Sequence, residues 1–312
     1  MSCFPWRKQP LAHARGSVVT HALLRAASPL LATLLLAAQP VIRVGVPLIV
    51  APTSVTDRSG NFINGLSAAD FQLYDNDVPQ LIHEDGDFLP ISVAIAIQSN
   101  LNKHAVERVH ELGPLLGALV VGVGGEAAIF TFNHQLDVRQ DFTPDLGRLT
   151  HALRRIEFSP GPSHVIDATL DAMRLLDQRP ELRRRILMLI SESRDTPTNP
   201  GSQTTLEDAL SEVPMSNTLI YWLNIGRGAG AEDPMPTMTR YTGGRQYSIG
   251  SEHALERAIT QIGEEIHGQY LLSYTPAHTP ATVDDTGFHR IRVVAKRAGF
   301  EVRSRPGYWP SH

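Results

Sequence analysis

The chain has 312 residues, of which 42% are hydrophobic and 19% charged, with a formal net charge of −4. That length allows about two domains with buried cores, and the composition is that of a globular protein, which excludes an extended disordered polymer. A mildly acidic chain with no basic stripe and no interleaved aromatic and basic residues excludes a nucleic-acid partner.

Ahead of Asp57, the first acidic residue, the only charged side chains are Arg7, Lys8, Arg15, Arg25 and Arg43. Between Arg25 and Arg43 lies an apolar stretch of 13 residues, Ala26–Ala38, broken by Ser28 and Pro29 and followed by Gln39 and Pro40. A membrane-spanning helix needs about 20 apolar residues. A basic leader, a short apolar core and small residues at its end instead predict a secretory signal peptide over residues 1–38, cleaved near Ala38. The mature protein is then periplasmic, envelope-bound or secreted, and touches a membrane only if this segment stays uncleaved. Cys3 is the only cysteine and would leave with the leader, so neither disulfides nor thiol chemistry are expected afterwards.

From residue 39 to 88 the signals are short strands and tight turns. Leu48-Ile49-Val50 precedes the turn cluster Asp57-Arg58-Ser59-Gly60, and Asn64-Gly65 marks another turn. Asp75-Asn76-Asp77 separates Phe71–Tyr74 from Val78–Ile82. Asn and Asp tolerate left-handed backbone, so this stretch predicts a hairpin. At Pro90 the period changes. The wholly apolar run Val93–Ile97 is followed by a helix with Val106, Val109, Leu112 and Leu116 on one face. A strand pair over Ala128–Phe132 and Leu136–Phe142 turns at Asn133-His134-Gln135. Two amphipathic helices follow, one through Leu146, Leu149, Leu153 and Ile156, the other through Ile166, Leu170, Met173 and Leu176. Strand Ile186–Ile190, a helix near Leu206–Val213, strand Thr218–Ile225, a flexible stretch Gly226–Pro236 and a helix near Ala254–Ile266 complete the unit. Alternating strands and helices predict an α/β fold, a doubly wound, mainly parallel sheet flanked by helices over residues 89–267. Beyond His267 the strand period returns, and Ile291–Ala295 and Phe300–Arg303 form an expected hairpin about Ala298-Gly299. Residues 39–88 and 268–312 each hold too few short strands to bury a core alone. They are therefore expected to pair as one small β-rich domain into which the α/β unit is inserted or which flanks it.

Three segments carry the functional signal. Val93–Ile97 runs into Gln98-Ser99-Asn100-Leu101-Asn102. Gly161-Pro162-Ser163 opens the helical stretch HVIDATLDAM. Ile186–Ile190 runs into Ser191-Glu192-Ser193-Arg194-Asp195. Buried parallel strands that end in small polar residues deliver their loops to one sheet edge, where open α/β sheets bind ligands. These loops resemble the three metal-site loops of a von Willebrand factor A (VWA) domain. That family holds one Mg²⁺ on an Asp-x-Ser-x-Ser loop, a Thr and a later Asp, and an acidic residue of the partner protein completes the octahedron. The resemblance puts Gln98 at the first Asp, Asn100 and Asn102 at the two Ser, Ser163 at the Thr and Glu192 at the last Asp. Asp167 and Asp195 flank the same edge, Asp195 being suited to capping the following turn. Mg²⁺ is a hard ion held through one or two carboxylates and strict geometry, and the first loop has lost its carboxylate. The adhesion site is therefore expected to be degenerate and to lack a metal cofactor, its amides joining the loops by hydrogen bonds. Amide oxygens leave a loose Ca²⁺ site as the alternative, ahead of an ordinary Mg²⁺ site.

The resemblance extends along the chain. PTSVTDRSGNFINGLSAADFQLYDNDVPQ, QDF, YLLSYTP and RIRVVAKRAGFEVRSRPGYW are similar to a secreted bacterial group of VWFA-related proteins, best known from acidobacteria, and the likeness runs from about Val46 to Trp309. It implies a non-enzymatic, exported adhesion-type module that binds an unidentified protein partner through the loop edge. Alternatives are a structural component of the cell envelope, or a metal-assisted hydrolase using Glu192, Asp195 and Asp167. Other patterns are weak. His104 and His110 fall on different faces of a helix, and no HExxH, CxxC or GxSxG occurs. Gly122-Val123-Gly124-Gly125 lacks the third glycine of a dinucleotide loop and sits between a helix and a strand, so it reads as a turn. His83-Glu84-Asp85 reads as a linker into the α/β unit.

Overall fold

Large and small apolar residues alternate along one strand, and that alternation sets the layering of the α/β unit. β5 (Ile91–Gln98) is buried over its whole length. Successive side chains of a strand point to opposite faces, so Ile91, Val93, Ile95 and Ile97 share one face while Ala94 and Ala96 share the other. The large face packs with α1 (Lys103–His110) and α6 (Glu252–Gly268). The alanine face lets α3 (Val165–Asp177) approach closely and bury Val165, Ile166, Ala168, Leu170, Ala172, Met173 and Leu176.

The computed structural model describes residues 48–84, 89–101, 103–117, 124–180, 183–192, 204–226, 233–276 and 287–309. The expected leader, Asn102 and Asp195 lie outside the described residues. Among those described, β5 pairs in parallel with β6 (Glu126–Phe132) and β8 (Arg184–Ser191), and β8 pairs in parallel with β9 (Thr218–Asn224). β10 (Arg245–Ser248) extends this side in parallel, and β7 (Leu136–Thr143) closes the other side antiparallel to β6. The six-stranded order is β10-β9-β8-β5-β6-β7. Helices α2 (Leu146–Arg154), α4 (Leu206–Glu212) and α5 (Met235–Tyr241) complete the described set, so the expected α/β class with small antiparallel sheets is the one observed. No helix of the described residues is long and apolar enough to cross a membrane.

The flanking segments form two four-stranded antiparallel sheets. One has the order β13-β1-β11-β4, from Glu301–Ser304, Ile49–Thr56, Tyr270–Tyr274 and His83–Glu84. The other has the order β14-β12-β2-β3, from Gly307–Tyr308, His289–Ala295, Phe71–Asp75 and Val78–Gln80. They share a core of Ala51, Val55, Phe71, Leu73, Leu272, Tyr274, Ile291, Val293 and Tyr308. Within it Asp75 accepts from Tyr274 Oη at 2.9 Å and Tyr308 Oη at 3.1 Å, and lies 2.8 Å from His289 Nδ1. Burial, followed by the neighbouring Tyr308 and Asp75, pushes the Tyr274 phenol far above its ordinary value, so it stays a neutral donor.

Three local expectations differ from what is observed. The helix expected through Leu116 stops at His110 and passes into a 3₁₀ turn, Gly113–Leu115. Pro114 brings no amide N–H to an α-helical ladder, and a Cβ at Gly113 would sit 2.6 Å from Thr150 Cγ2. The hairpin expected about Ala298-Gly299 is not one: β12 pairs with β2 and β14, whereas β13 pairs with β1 in the other sheet. Part of the stretch read as flexible, Met235 and Pro236, begins α5. The turn expected at Asn76-Asp77 is present, with both residues at positive φ (47° and 64°).

One carboxylate joins the sandwich to the α/β unit. Glu265, on α6, is fully buried. Its Oε1 accepts from Tyr221 Oη of β9 at 2.7 Å, Ser54 Oγ of β1 at 3.3 Å, and the Arg303 guanidinium of β13. Arg245 Nε of β10 lies 3.5 Å from Oε2. Arg184 of β8 binds the Ile266 carbonyl and Gln269 beside it. Burial, and then the Glu265 charge, push the Tyr221 phenol well above its usual value, which keeps it a neutral donor to the carboxylate.

Candidate functional site

Parallel strands place their C-terminal ends at one edge, and polar residues stand at those ends. Gln98 ends β5, Asn133 follows β6, Glu192 follows β8 and Asn224 ends β9. The loop before α3 reaches the same edge because α3 lies on the alanine face of β5.

Gln98 is 4% exposed, and both ends of its amide are engaged. Its Oε1 accepts the Glu192 backbone N–H at 2.9 Å, and its Nε2 donates to Asn100 Oδ1 at 2.6 Å. Asn100 Nδ2 then donates to the Gly161 carbonyl at 2.8 Å. One chain of side-chain amides thus connects the loop after β5, the loop before α3 and the start of the loop after β8. Backbone bonds reinforce it: Ser99 N–H donates to Phe132 O at 2.8 Å, Ser159 N–H to Ser99 O at 2.9 Å, and His164 N–H to Asn133 O at 2.8 Å. A buried hydrogen bond contributes about 1 kcal/mol net, and leaving its partner unmet costs about 1–3 kcal/mol.

Ser163 is buried, 5% exposed, and its Oγ has no hydrogen-bond partner among the described residues. Asp167 lies in the first turn of α3 and is partly buried. Its Oδ2 lies 3.6 Å from Nδ1 of the buried His164. The half-buried Glu192 is held through its backbone. Of the residues expected at the edge, the structure therefore links Gln98, Asn100 and Glu192 directly, sets Ser163 in the adjoining loop, and engages Asp167 with His164.

Asn133, Ser159, His164 and Asn224 also belong to this edge, although the sequence analysis did not single them out. Asn133 Nδ2 donates to Ser159 Oγ at 3.3 Å. Asn224 is 1% exposed and accepts the Gly226 N–H at 2.9 Å. For Asn133 and Asn224 the available signal was position, a polar residue at the end of an apolar strand; Ser159 and His164, between two helices, carried none.

The family's Mg²⁺ needs a near-octahedral set of oxygens with one or two carboxylates. Among the described residues the linked set offers one carboxylate, Glu192, while the Gln98 and Asn100 amide oxygens each already accept an N–H. These residues do not fit that ion. No group of three or more His, Cys, Asp or Glu side chains among the described residues is placed to hold a metal. The arrangement is suited to rigid presentation of amides and one anionic side chain.

No protein-family model matches the sequence, and no curated protein matches it. Solved structures do. A von Willebrand factor type A protein from Catenulispora acidiphila aligns over 86% of this chain and 64% of its own, at 10% identity and a TM-score of 0.50. The hypothetical protein BatB from Bacteroides thetaiotaomicron aligns over 57% of this chain and 98% of its own, at 13% identity and a TM-score of 0.45. The PilB minor pilin from Streptococcus sanguinis aligns over 58% of this chain and 62% of its own, at 11% identity and a TM-score of 0.46. Identities this low speak to the fold alone. With its six-stranded, mainly parallel sheet covered by helices on both faces, the chain has the fold of a von Willebrand factor A domain.

Proposed function

We propose that this protein is an exported, non-enzymatic interaction module that binds a protein partner through the loop edge carrying Gln98, Asn100, Ser163 and Glu192, without a metal ion. The observation that carries the proposal is the Gln98 amide, which bridges Asn100 and the Glu192 backbone at the position where the resemblance calls for an ion-binding carboxylate. The loops are held by hydrogen bonds, so the edge is organised before any partner arrives, which lowers the ordering cost of binding. Without an ion the polarity of recognition reverses. An acidic partner residue would meet the Glu192 carboxylate as a like charge, whereas a Lys or Arg would pair with it. Export rests on the basic leader and short apolar stretch ahead of residue 39.

The test is retention of envelope proteins by the immobilised chain, with and without chelator. A partner that is kept in chelator and lost with Glu192→Lys supports the proposal. Release of the partner by chelator, or a melting temperature raised by millimolar Mg²⁺, overturns the metal-free reading. Equal recovery on the Glu192→Lys variant overturns the loop edge as the binding surface.

A further inference from the structure

A second surface, sharing none of its lining with the loop edge, lies where β7 meets α2. β7 ends the six-stranded sheet, so one of its edges has no strand beside it among the described residues. Its eight residues are long enough to pair with a peptide, and Val138 stands 58% exposed on it. Between this strand and α2 lies a groove of about 670 Å³ lined by Val138, Arg139, Gln140, Arg148, His151 and Arg155.

The charge of this groove is one-sided. Arg148, His151 and Arg155 are spaced three and four apart, which puts them on one stripe of the α2 helix and its end. The side chains of all three are exposed, and no hydrogen bond or ion pair engages them among the described residues. The one carboxylate in the lining, Asp145, is committed to capping α2, where its Oδ1 accepts from Gly147 N–H at 2.8 Å and Arg148 N–H at 3.2 Å. Charges along an exposed edge also discourage indiscriminate pairing, and β7 carries Asp137, Arg139 and Asp141. Arg139 is engaged with Thr131 Oγ1 at 2.7 Å and lies 3.9 Å from Asp137, so the unengaged cations of the groove are those on the neighbouring helix.

We infer that the β7–α2 groove binds an extended acidic peptide segment of a partner protein, which adds as a strand to β7. Backbone bonds to the open edge supply the pairing, and alternate side chains supply the selectivity. Side chains two residues apart on such a strand are separated by about 7 Å. Seven residues of helix span about 10 Å. An acid at every second position therefore meets the stripe from Arg148 to Arg155, while Val138 packs against the apolar residues between.

The experiment measures fluorescence anisotropy of a labelled (Glu-Val)₄ peptide on the full chain, with a (Glu-Pro)₄ peptide of equal charge that lacks alternate backbone donors. The expected result is saturable binding of the first peptide and none of the second. Affinity should fall by at least about tenfold in Arg148→Glu/Arg155→Glu, because two attractive pairs become repulsive. Hydrogen exchange should show new protection of amides within Val138–Phe142 when (Glu-Val)₄ is bound. Equal binding of (Glu-Pro)₄, unchanged affinity in the charge-reversed variant, or absence of new protection on β7 each overturns the proposal. Failure of (Glu-Val)₄ to bind at millimolar concentration, tighter binding of single-stranded DNA of equal charge, or occupation of the edge by a second copy of this chain in sedimentation does the same.

Discussion

The loop edge and the Glu265 junction are both polar, yet they treat charge in opposite ways. At the junction a fully buried carboxylate is kept, surrounded by Arg303, Arg245, Tyr221 and Ser54 from four strands. At the loop edge the buried polar position is an uncharged amide, Gln98, and the single charge of the linked set, Glu192, is half-buried and, among the described residues, is held through its backbone. A buried charge is costly to strand once its partners are fixed, so it suits a joint that must never open. An amide chain organises loops without that penalty and leaves the half-buried Glu192 carboxylate to another molecule.

The comparison breaks first at Glu265. Glu265→Ala should destabilise the protein by about 3–5 kcal/mol, because Arg303 and its neighbours lose their buried counter-charge. Glu192→Ala should stay within about 0.5 kcal/mol, as surface changes do. Urea unfolding of both variants checks this, and equal costs would erase the contrast. Next in size is the restored family pattern. Gln98→Asp combined with Asn100→Ser and Asn102→Ser should make the melting temperature depend on Mg²⁺, by about 2.7 kcal/mol at a hundredfold excess over Kd. The unaltered chain should show no such shift in the same calorimetric series.

Gln98→Ala should cost about 1–3 kcal/mol, since it strands the Glu192 N–H and the side-chain Oδ1 of Asn100. Hydrogen exchange should then find the Glu192 amide less protected, with the central strands unchanged. The smallest effect belongs to Asp57, which anchors a turn of the sandwich by accepting from Asn61 Nδ2, Asn61 N–H and Ser59 N–H. The Asn61 side-chain bond, followed by that residue's backbone bond, holds the Asp57 carboxyl below its ordinary value. A lowered folded value means that its stabilisation is present above the unfolded value and is lost as pH falls through the folded one. The stability gap between wild type and Asp57→Ala should accordingly be constant near neutral pH and close as pH falls through the lowered folded value.

Much of the architecture was legible because burial writes a period into the chain. β5, β8 and β9 are buried on both faces and read as unbroken apolar runs, and α3 carries its core residues at helical spacing. The Asn76-Asp77 turn was legible because few other residues accept positive φ. Two short elements were not: α5 opens on Met235-Pro236 at the end of a glycine-rich stretch, and β10 has four residues, too few for periodicity to register. β10 depends instead on Gly244, whose missing side chain lets the chain run against the Ile220 carbonyl of β9. The split of β12 and β13 between two sheets was hidden as well, since a hairpin and a sandwich corner share one local pattern.

At the loop edge, the order of Gln98, Asn100, Ser163 and Glu192 along the chain could be read directly, and so could the loss of a carboxylate from the first loop. That Gln98 spends both ends of its amide on two different loops could not, because Glu192 stands 94 residues away and only the parallel pairing of β5 with β8 brings it near. Glu265 is the extreme case. Within its helix it reads as one more acidic residue beside Glu264, while Ser54 and Tyr221, 211 and 44 residues distant, convert it into a buried joint. Local periodicity and turn chemistry are properties of neighbouring residues, so the amino-acid sequence alone determined the longer elements and the layers of the α/β unit. Which polar groups meet depends on how those layers close on one another, and only the tertiary structure decided that.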